Sequence, residues 1–144
     1  MEDGLAGLCL EDLSVGQSAA RIRTVTEADI IAFAAVTGDE NPVHMDEAYA
    51  AATPFKGRIA HGMLSAGYIS AVLGVDLPGP GAIYLSQSLR FRRPVRIGDT
   101  VEAKVTVAAI DPAKAQVTLA TVCSVAGKVV VDGEAVVMVS RRSA

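Results

Sequence analysis

The stretch HGMLSAGYISAVLG, residues 61–74, decides which fold this sequence can adopt. Apolar side chains occur on nearly every face of the helix that it would form, and it contains no lysine, arginine or acid. A helix that is apolar all round belongs in the middle of a protein. The longer apolar run, residues 63–77, is interrupted by serine and glycine and is too short to cross a bilayer. We therefore predict a central helix that the rest of the chain encloses.

The chain after this helix predicts a series of β-strands. Residues 77–81, LPGPG, end the helix, and apolar and polar side chains alternate over residues 83–92, as expected of one half-buried strand. Turns at residues 97–99 and 111–112 separate two further strands, and Ala126-Gly127 predicts a tight hairpin into the last strand. The apolar faces predicted for the second and fourth strands are Val101, Ala103, Val105, Val107 and Ala109, and Val129, Val131, Ala135, Val137 and Val139.

The chain before the central helix predicts a strand and two helices. Residues 16–25 carry a weak strand signal, in which Ala20, Ile22 and Thr24 alternate with Arg21, Arg23 and Val25. Thr26 and Asp29 have the spacing of a helix-capping pair, and Gly38 is typical of the residue that ends such a helix. Asp46 is expected to cap a second, shorter helix. The predicted class is α+β, an antiparallel sheet wrapped around one long central helix, which is the hotdog arrangement.

Composition favours one ordinary globular domain over residues 1–144. The chain is 51% hydrophobic and 20% charged, with a net charge of -3, and it has no long basic run that would indicate nucleic-acid binding. Cys9 and Cys123 do not have the spacing of a metal site or a disulfide framework. The acidic first residues do not resemble a signal peptide, and no membrane span is predicted. We expect a cytoplasmic location.

The segment TGDENPVHMD, residues 37–46, carries the chemistry. Asp39 and His44 are five positions apart on either side of Asn41-Pro42, and the residue before a proline is disfavoured in a helix, so we expect an extended or turned loop. A carboxylate and an imidazole directed at one point can act as general acid and base. The competing interpretation is that Asp39 caps a turn and His44 only packs. The two histidines of the chain, His44 and His61, both flank this loop, which favours a functional role.

Three further features each allow two interpretations. Asn41 is expected to hold the loop through its side chain more than to contact a substrate. Gly62 opens the central helix, where free backbone N–H groups could stabilise a developing oxyanion, or where the glycine could simply permit close packing. The basic cluster Arg90, Arg92, Arg93 and Arg96 could bind phosphates, but a solvated face is the expected role of each arginine.

Four segments together resemble the MaoC-like, R-specific enoyl-CoA hydratases. They are FAAVTGDENPVHMDEAYAAATPF at residues 33–55, IAHGML at 59–64, IYLSQSLRFRRPV at 83–95 and IGD at 97–99. The resemblance implies a hotdog subunit that forms a homodimer. It also implies reversible syn hydration of a trans-2-enoyl-CoA to an (R)-3-hydroxyacyl-CoA.

The resemblance also implies roles for individual residues. Asp39 and His44 would bind the attacking water, and the Gly62 amide would hold the thioester oxygen. Ser70 and Leu73 on the central helix would line the acyl pocket. No cofactor and no metal are implied, because an enoyl thioester is already electrophilic.

Three alternatives to this hydratase remain open. Dehydratases that act on 3-hydroxyacyl groups of a carrier protein share the same motif. A hotdog acyl-thioesterase would use a carboxylate without needing the spacing of Asp39, Asn41 and His44. The third is a non-catalytic subunit that binds an acyl thioester and pairs with an active partner. The sequence leaves the acyl chain length, the carrier and the assembly beyond a dimer undecided.

Overall fold

The computed structural model describes residues 7–142 and contains six strands and four α-helices. The strands are β1 (Ser18–Thr24), β2 (Ile83–Gln87), β3 (Arg90–Phe91), β4 (Thr100–Asp111), β5 (Gln116–Val125) and β6 (Lys128–Met138). The helices are α1 (Glu27–Thr37), α2 (Pro42–Met45), α3 (Glu47–Ala51) and α4 (Gly62–Ala71), and α4 continues as a π-helical turn over Val72–Asp76. Within residues 7–142, every helix is too short or too polar to span a membrane.

The strands form one antiparallel sheet in the order β1-β4-β5-β6-β2, and β3 also pairs with β6. The hairpin between β5 and β6 turns at Ala126 and Gly127, whose φ angles of 51° and 79° are those of the tight turn that the sequence predicts. Buried residues of α4 and its π-helical turn lie in the same core cluster as those of β4, β5 and β6. The α+β prediction of a sheet around a central helix is confirmed.

The capping prediction for α1 is also correct. The Thr26 hydroxyl accepts from the Asp29 N–H at 3.1 Å, and the Asp29 carboxylate accepts from the Thr26 N–H at 2.9 Å. At the other end, Gly38 ends the helix in the left-handed conformation with φ 81°. These contacts fix the point at which the chain leaves α1 and enters the segment that carries Asp39.

The prediction that the central helix is enclosed on all sides is wrong for the single chain. Ser65 and Ile69 of α4 are buried against the sheet, whereas Met63 on the same helix is 54% exposed. One sheet covers only one face of a helix, so the other face of α4 stays open here.

The single strand predicted over residues 83–92 is interrupted. β2 ends at Gln87 and β3 begins at Arg90, and the connection crosses close to Gly133 of β6. A Cβ atom at Gly133 would lie 1.8 Å from the Ser88 carbonyl oxygen, so only glycine admits this crossing. Three apolar members of this stretch are also exposed in the single chain rather than half-buried: Ile83 56%, Leu85 44% and Phe91 55%. Leu89 alone of that face is half-buried, as predicted.

Three smaller corrections concern which side chains the sheet buries. Ile22 of β1 is 65% exposed, whereas Ala19 on the opposite face of that strand packs against the core. Irregular pairing after Val107 leaves Ala109 exposed. A similar irregularity opposite Ser124 places Val130 in the core in place of Val129. Each bulge changes the alternation by one residue, which a strict two-residue period does not anticipate.

Candidate active site

Asp39 is placed by the end of α1. The Thr37 hydroxyl donates to the Phe33 carbonyl at 2.7 Å and accepts from the Asp39 N–H at 3.1 Å. One carboxylate oxygen of Asp39 accepts from the Asn41 N–H at 3.3 Å. The side chain is exposed and lines a cavity next to the helix end. The turn therefore holds the backbone of Asp39 firmly while leaving its carboxylate accessible.

His44 lies on α2, a single helical turn that the sequence pattern did not predict. The Asn41 side chain caps this turn by accepting from the Val43 N–H at 3.1 Å, and Pro42 occupies its first position. Proline is well suited to the first turn of a helix, where its missing N–H has no partner to lose. The expected extended or turned loop is thus a single helical turn from Pro42 onward, and the expected role of Asn41 in holding the loop agrees with its contact.

The His44 ring has a defined tautomer. Its Nδ1 is 2.7 Å from the Ile59 carbonyl oxygen, and because a carbonyl oxygen only accepts, Nδ1 carries the proton. The Nε2 atom of the neutral ring is then a free base. His44 is only 9% exposed, and burial is the main cause that lowers its pKa, with a smaller opposing effect from the Ile59 hydrogen bond. The site therefore favours the neutral, proton-accepting form of this histidine.

His61 completes a cluster of three polar side chains. Its ring is 4.0 Å from the His44 ring, centroid to centroid, and its Nε2 donates to the Asp39 backbone carbonyl at 2.9 Å. One donor atom from each of Asp39, His44 and His61 lies within 4.8 Å of the others. Imidazole and carboxylate are also the groups that bind a transition-metal ion, so this cluster is where the described residues could hold one. The same groups suit acid–base chemistry on a water molecule.

The cluster faces a largely apolar cavity of about 450 Å³. Gly62, the first residue of α4, lies at its edge, and its N–H is one of those that have no partner within the helix. The Phe91 ring packs so closely on Gly62 that a Cβ atom there would lie 2.6 Å from it. The remaining lining residues are Phe55, Ile59, Ala60, Met63, Ser65, Arg92, Arg93, Pro94, Val95 and Val131.

The other residues predicted for substrate binding lie elsewhere. Asn41 is exposed and caps α2. Ser70 lines a second cavity of about 510 Å³ on the open face of α4, and Met63 lines both cavities. Leu73 is 2% exposed and belongs to the hydrophobic core. The substrate-binding roles of these three residues stay predictions.

The basic cluster is exposed, as expected, and partly engaged. Arg92 forms an ion pair with Asp132 at 3.2 Å, and Arg93 donates to the Val129 carbonyl at 2.7 Å. The alternation of residues 83–92 contained no sign that Arg92, Arg93 and Phe91 border the cavity. The contacts of His61 also went unpredicted, although the position of both histidines beside one loop was a usable signal.

Comparisons with known proteins agree with this architecture. The family model described as "MaoC like domain" matches residues 14–132. An (R)-specific enoyl-CoA hydratase of Rhodospirillum rubrum is 61% identical over 132 residues, which cover 92% of this chain and 92% of that protein. A 3-hydroxybutyryl-CoA dehydratase of Methylorubrum extorquens is 53% identical over 135 residues, covering 94% and 86%. The solved R-hydratase PhaJ1 from Pseudomonas aeruginosa superposes with a TM-score of 0.89 at 50% identity, covering 94% of this chain and 88% of that one.

Proposed function

We propose that this chain, which belongs to the MaoC-like dehydratase family, hydrates trans-2-enoyl-CoA reversibly to (R)-3-hydroxyacyl-CoA. The two relatives described above, which match most of its length, are hydro-lyases. The observation that carries this proposal is the cluster of Asp39, His44 and His61 beside an apolar cavity. A relative with 61% identity over nearly its whole length is named for the same reaction.

In the proposed reaction, one water molecule binds between the Asp39 carboxylate and the His44 imidazole. His44 Nε2 accepts a proton from the water as its oxygen forms a bond to C3 of the enoyl group. The electron pair of the C2–C3 double bond moves toward the thioester carbonyl, and C2 then receives a proton from the same Asp39–His44 pair. Addition is syn because the oxygen and the proton both come from one face of the double bond. Every atom of the water is accounted for in the product.

The thioester oxygen becomes negatively charged in this step and needs a donor. The Gly62 N–H at the start of α4 supports that role, because it has no partner within the helix and lies at the positive end of the helix dipole. A preorganised backbone donor of this kind stabilises a developing oxyanion more than water does. The cavity would then hold the reacting end of the acyl chain, with the chain running past Met63 toward Ser70, because Met63 lines both cavities and Ser70 lines the second.

The open face of α4 and the exposed apolar residues of β2 support a homodimer as the working form. Met63, Ile83 and Leu85 are between 44% and 56% exposed in the single chain and are all apolar. Burial of such a surface against a second copy would remove it from water. Sedimentation or size-exclusion chromatography should show a dimer, and a stable monomer would contradict this part of the proposal.

The test is the loss of enoyl-thioester absorbance with crotonyl-CoA, followed by chiral analysis of the product. We expect (R)-3-hydroxybutyryl-CoA, and we expect Asp39→Ala and His44→Ala each to lower turnover by about 10²- to 10⁴-fold in folded protein. Near-normal turnover in either variant would remove that residue from the mechanism. Release of free CoA would indicate a thioesterase instead. Activity only with an enoyl group on a carrier protein would indicate a carrier-protein dehydratase.

A further inference from the structure

His61 contacts both Asp39 and His44, the two residues to which the proposed mechanism assigns the proton transfers. Its Nε2–H donates to the backbone carbonyl of Asp39, 22 positions earlier in the chain, and its ring lies on the ring of His44. The ring also packs on Phe33 of α1, with 4.7 Å between the two ring centroids. The side chain is 2% exposed. One buried ring thus joins the end of α1, the turn α2 and the start of α4.

We propose that His61 is a positioning residue that sets the separation and orientation of Asp39 and His44. This inference rests on the proposed function, because it assigns His61 a role in that reaction without placing it in contact with the substrate. The hydrogen bond restrains the backbone of Asp39, whose side chain is otherwise on an exposed turn. The ring contact gives His44 a second restraint, because its bond to the Ile59 carbonyl holds only the Nδ1 atom of the ring.

The chemistry of the ring argues against a purely packing role. With the proton on Nε2, the Nδ1 atom of His61 holds a lone pair, and it is buried with no partner among the described residues. A buried polar atom without a partner is unfavourable for folding. A leucine of similar volume would fill the same space without that cost. A role in packing alone therefore predicts that leucine is tolerated, and a positioning role predicts that it is not.

Two substitutions separate these interpretations. In His61→Gln the side-chain amide nitrogen can occupy the place of Nε2 and still donate to the Asp39 carbonyl. In His61→Leu the volume is retained and the donor is lost. We expect His61→Leu to lower kcat by about 10- to 100-fold with KM within about threefold of wild type, since misplacement of catalytic groups acts on the transition state. His61→Gln should recover a large part of that loss.

Tyr68→Phe is the matched control. Tyr68 is on the same helix, and its hydroxyl is also buried without a partner among the described residues, but it lines neither cavity. Removal of that hydroxyl should leave kcat and KM unchanged. Circular dichroism and thermal unfolding of all three variants identify any loss of fold. A folded His61→Leu with wild-type kcat, or a His61→Gln no more active than His61→Leu, would overturn the proposal.

A second measurement does not depend on activity. The side chains whose charges act on the His44 ring are His61 and Asp39, and Arg58 donates from its Nε to the His44 backbone carbonyl at 2.7 Å. NMR titration of the His44 ring should show a higher pKa in His61→Leu than in wild type, because a displaced ring is better hydrated and loses the unfavourable charge interaction with His61. An unchanged titration would overturn the proposal even if the protein hydrates no enoyl thioester. Failure of the crotonyl-CoA assay in wild type would instead count against the proposed function.

Discussion

Replacement of Gly62 by proline isolates the backbone donor that the proposed mechanism needs. Proline removes the N–H of the first residue of α4 and nothing else from the hydrogen bonds within the helix, because that N–H has no partner there. The first position of a helix is also where proline is most readily accepted. His61, the preceding residue, has φ −60° and ψ 133°, which lies in the region that a following proline requires. The fold should therefore tolerate the change.

The expected loss follows from the role of the donor. Removal of one oxyanion-hole donor typically costs about 10²- to 10³-fold in kcat, or about 2.7–4 kcal/mol of transition-state stabilisation. Proline also adds a Cβ atom, which would lie 2.6 Å from the Phe91 ring. That ring is 55% exposed and can turn away from the helix, so its displacement should change KM more than stability.

Gly62→Ala provides the control, because it adds the same Cβ atom and keeps the N–H. The assay is steady-state hydration of crotonyl-CoA by wild type, Gly62→Ala and Gly62→Pro. We expect alanine to raise KM with a modest effect on kcat, and proline to lower kcat by a further factor of about 10² or more. If the two variants, both folded, have kcat values within a few-fold of each other, the Gly62 N–H does not stabilise the oxyanion.

Two further predictions test the base and the sheet. Because the pKa of His44 is lowered, its ring becomes protonated only below the ordinary histidine value of about 6.5. We therefore expect kcat/KM to stay high as the pH falls to that value and to decline only below it. A midpoint of the acidic decline above pH 7 would contradict the assignment of His44 as the base. Gly133→Ala must move the Ser88 carbonyl from 1.8 Å to at least 3.0 Å from the new Cβ, a shift of 1.2 Å. Loss of the Ser88–Glu134 hydrogen bonds and overpacking should together lower the free energy of unfolding, measured in urea, by about 2–4 kcal/mol. Gly74→Ala is the control, because its Cβ meets nothing within 4 Å, and it should change the free energy of unfolding by less than about 1 kcal/mol.

The parts of the fold that the sequence predicted well depend on neighbours along the chain. The Thr26–Asp29 cap, the end of α1 at Gly38 and the hairpin at Ala126-Gly127 each involve four residues or fewer. Such contacts follow from covalent geometry and backbone preferences, so the residue types at those positions predict them. The α+β class followed in the same way from the two periodicities of the chain.

The predictions that were wrong concern contacts across the sheet. The strand predicted over residues 83–92 breaks because Gly133 lies against Ser88, and bulges in the pairing of β4, β5 and β6 change which valines are buried. No alternation within one strand contains that information, because a bulge is defined only by the partner strand. The turn α2 was missed for a related reason: one helical turn is too short to show a period.

For the candidate site, the sequence by itself determined the residue types and their order: an acid, an asparagine-proline turn and a histidine, followed by a His-Gly pair at the start of an apolar helix. The tertiary structure decided how they act on one another. It placed His61 against residues 17 and 22 positions away, fixed the His44 tautomer through the Ile59 carbonyl, and moved Leu73 into the core. These contacts join separate elements, and they exist only once the sheet has packed against α4. Their geometry is a property of that packing, which local spacing does not encode.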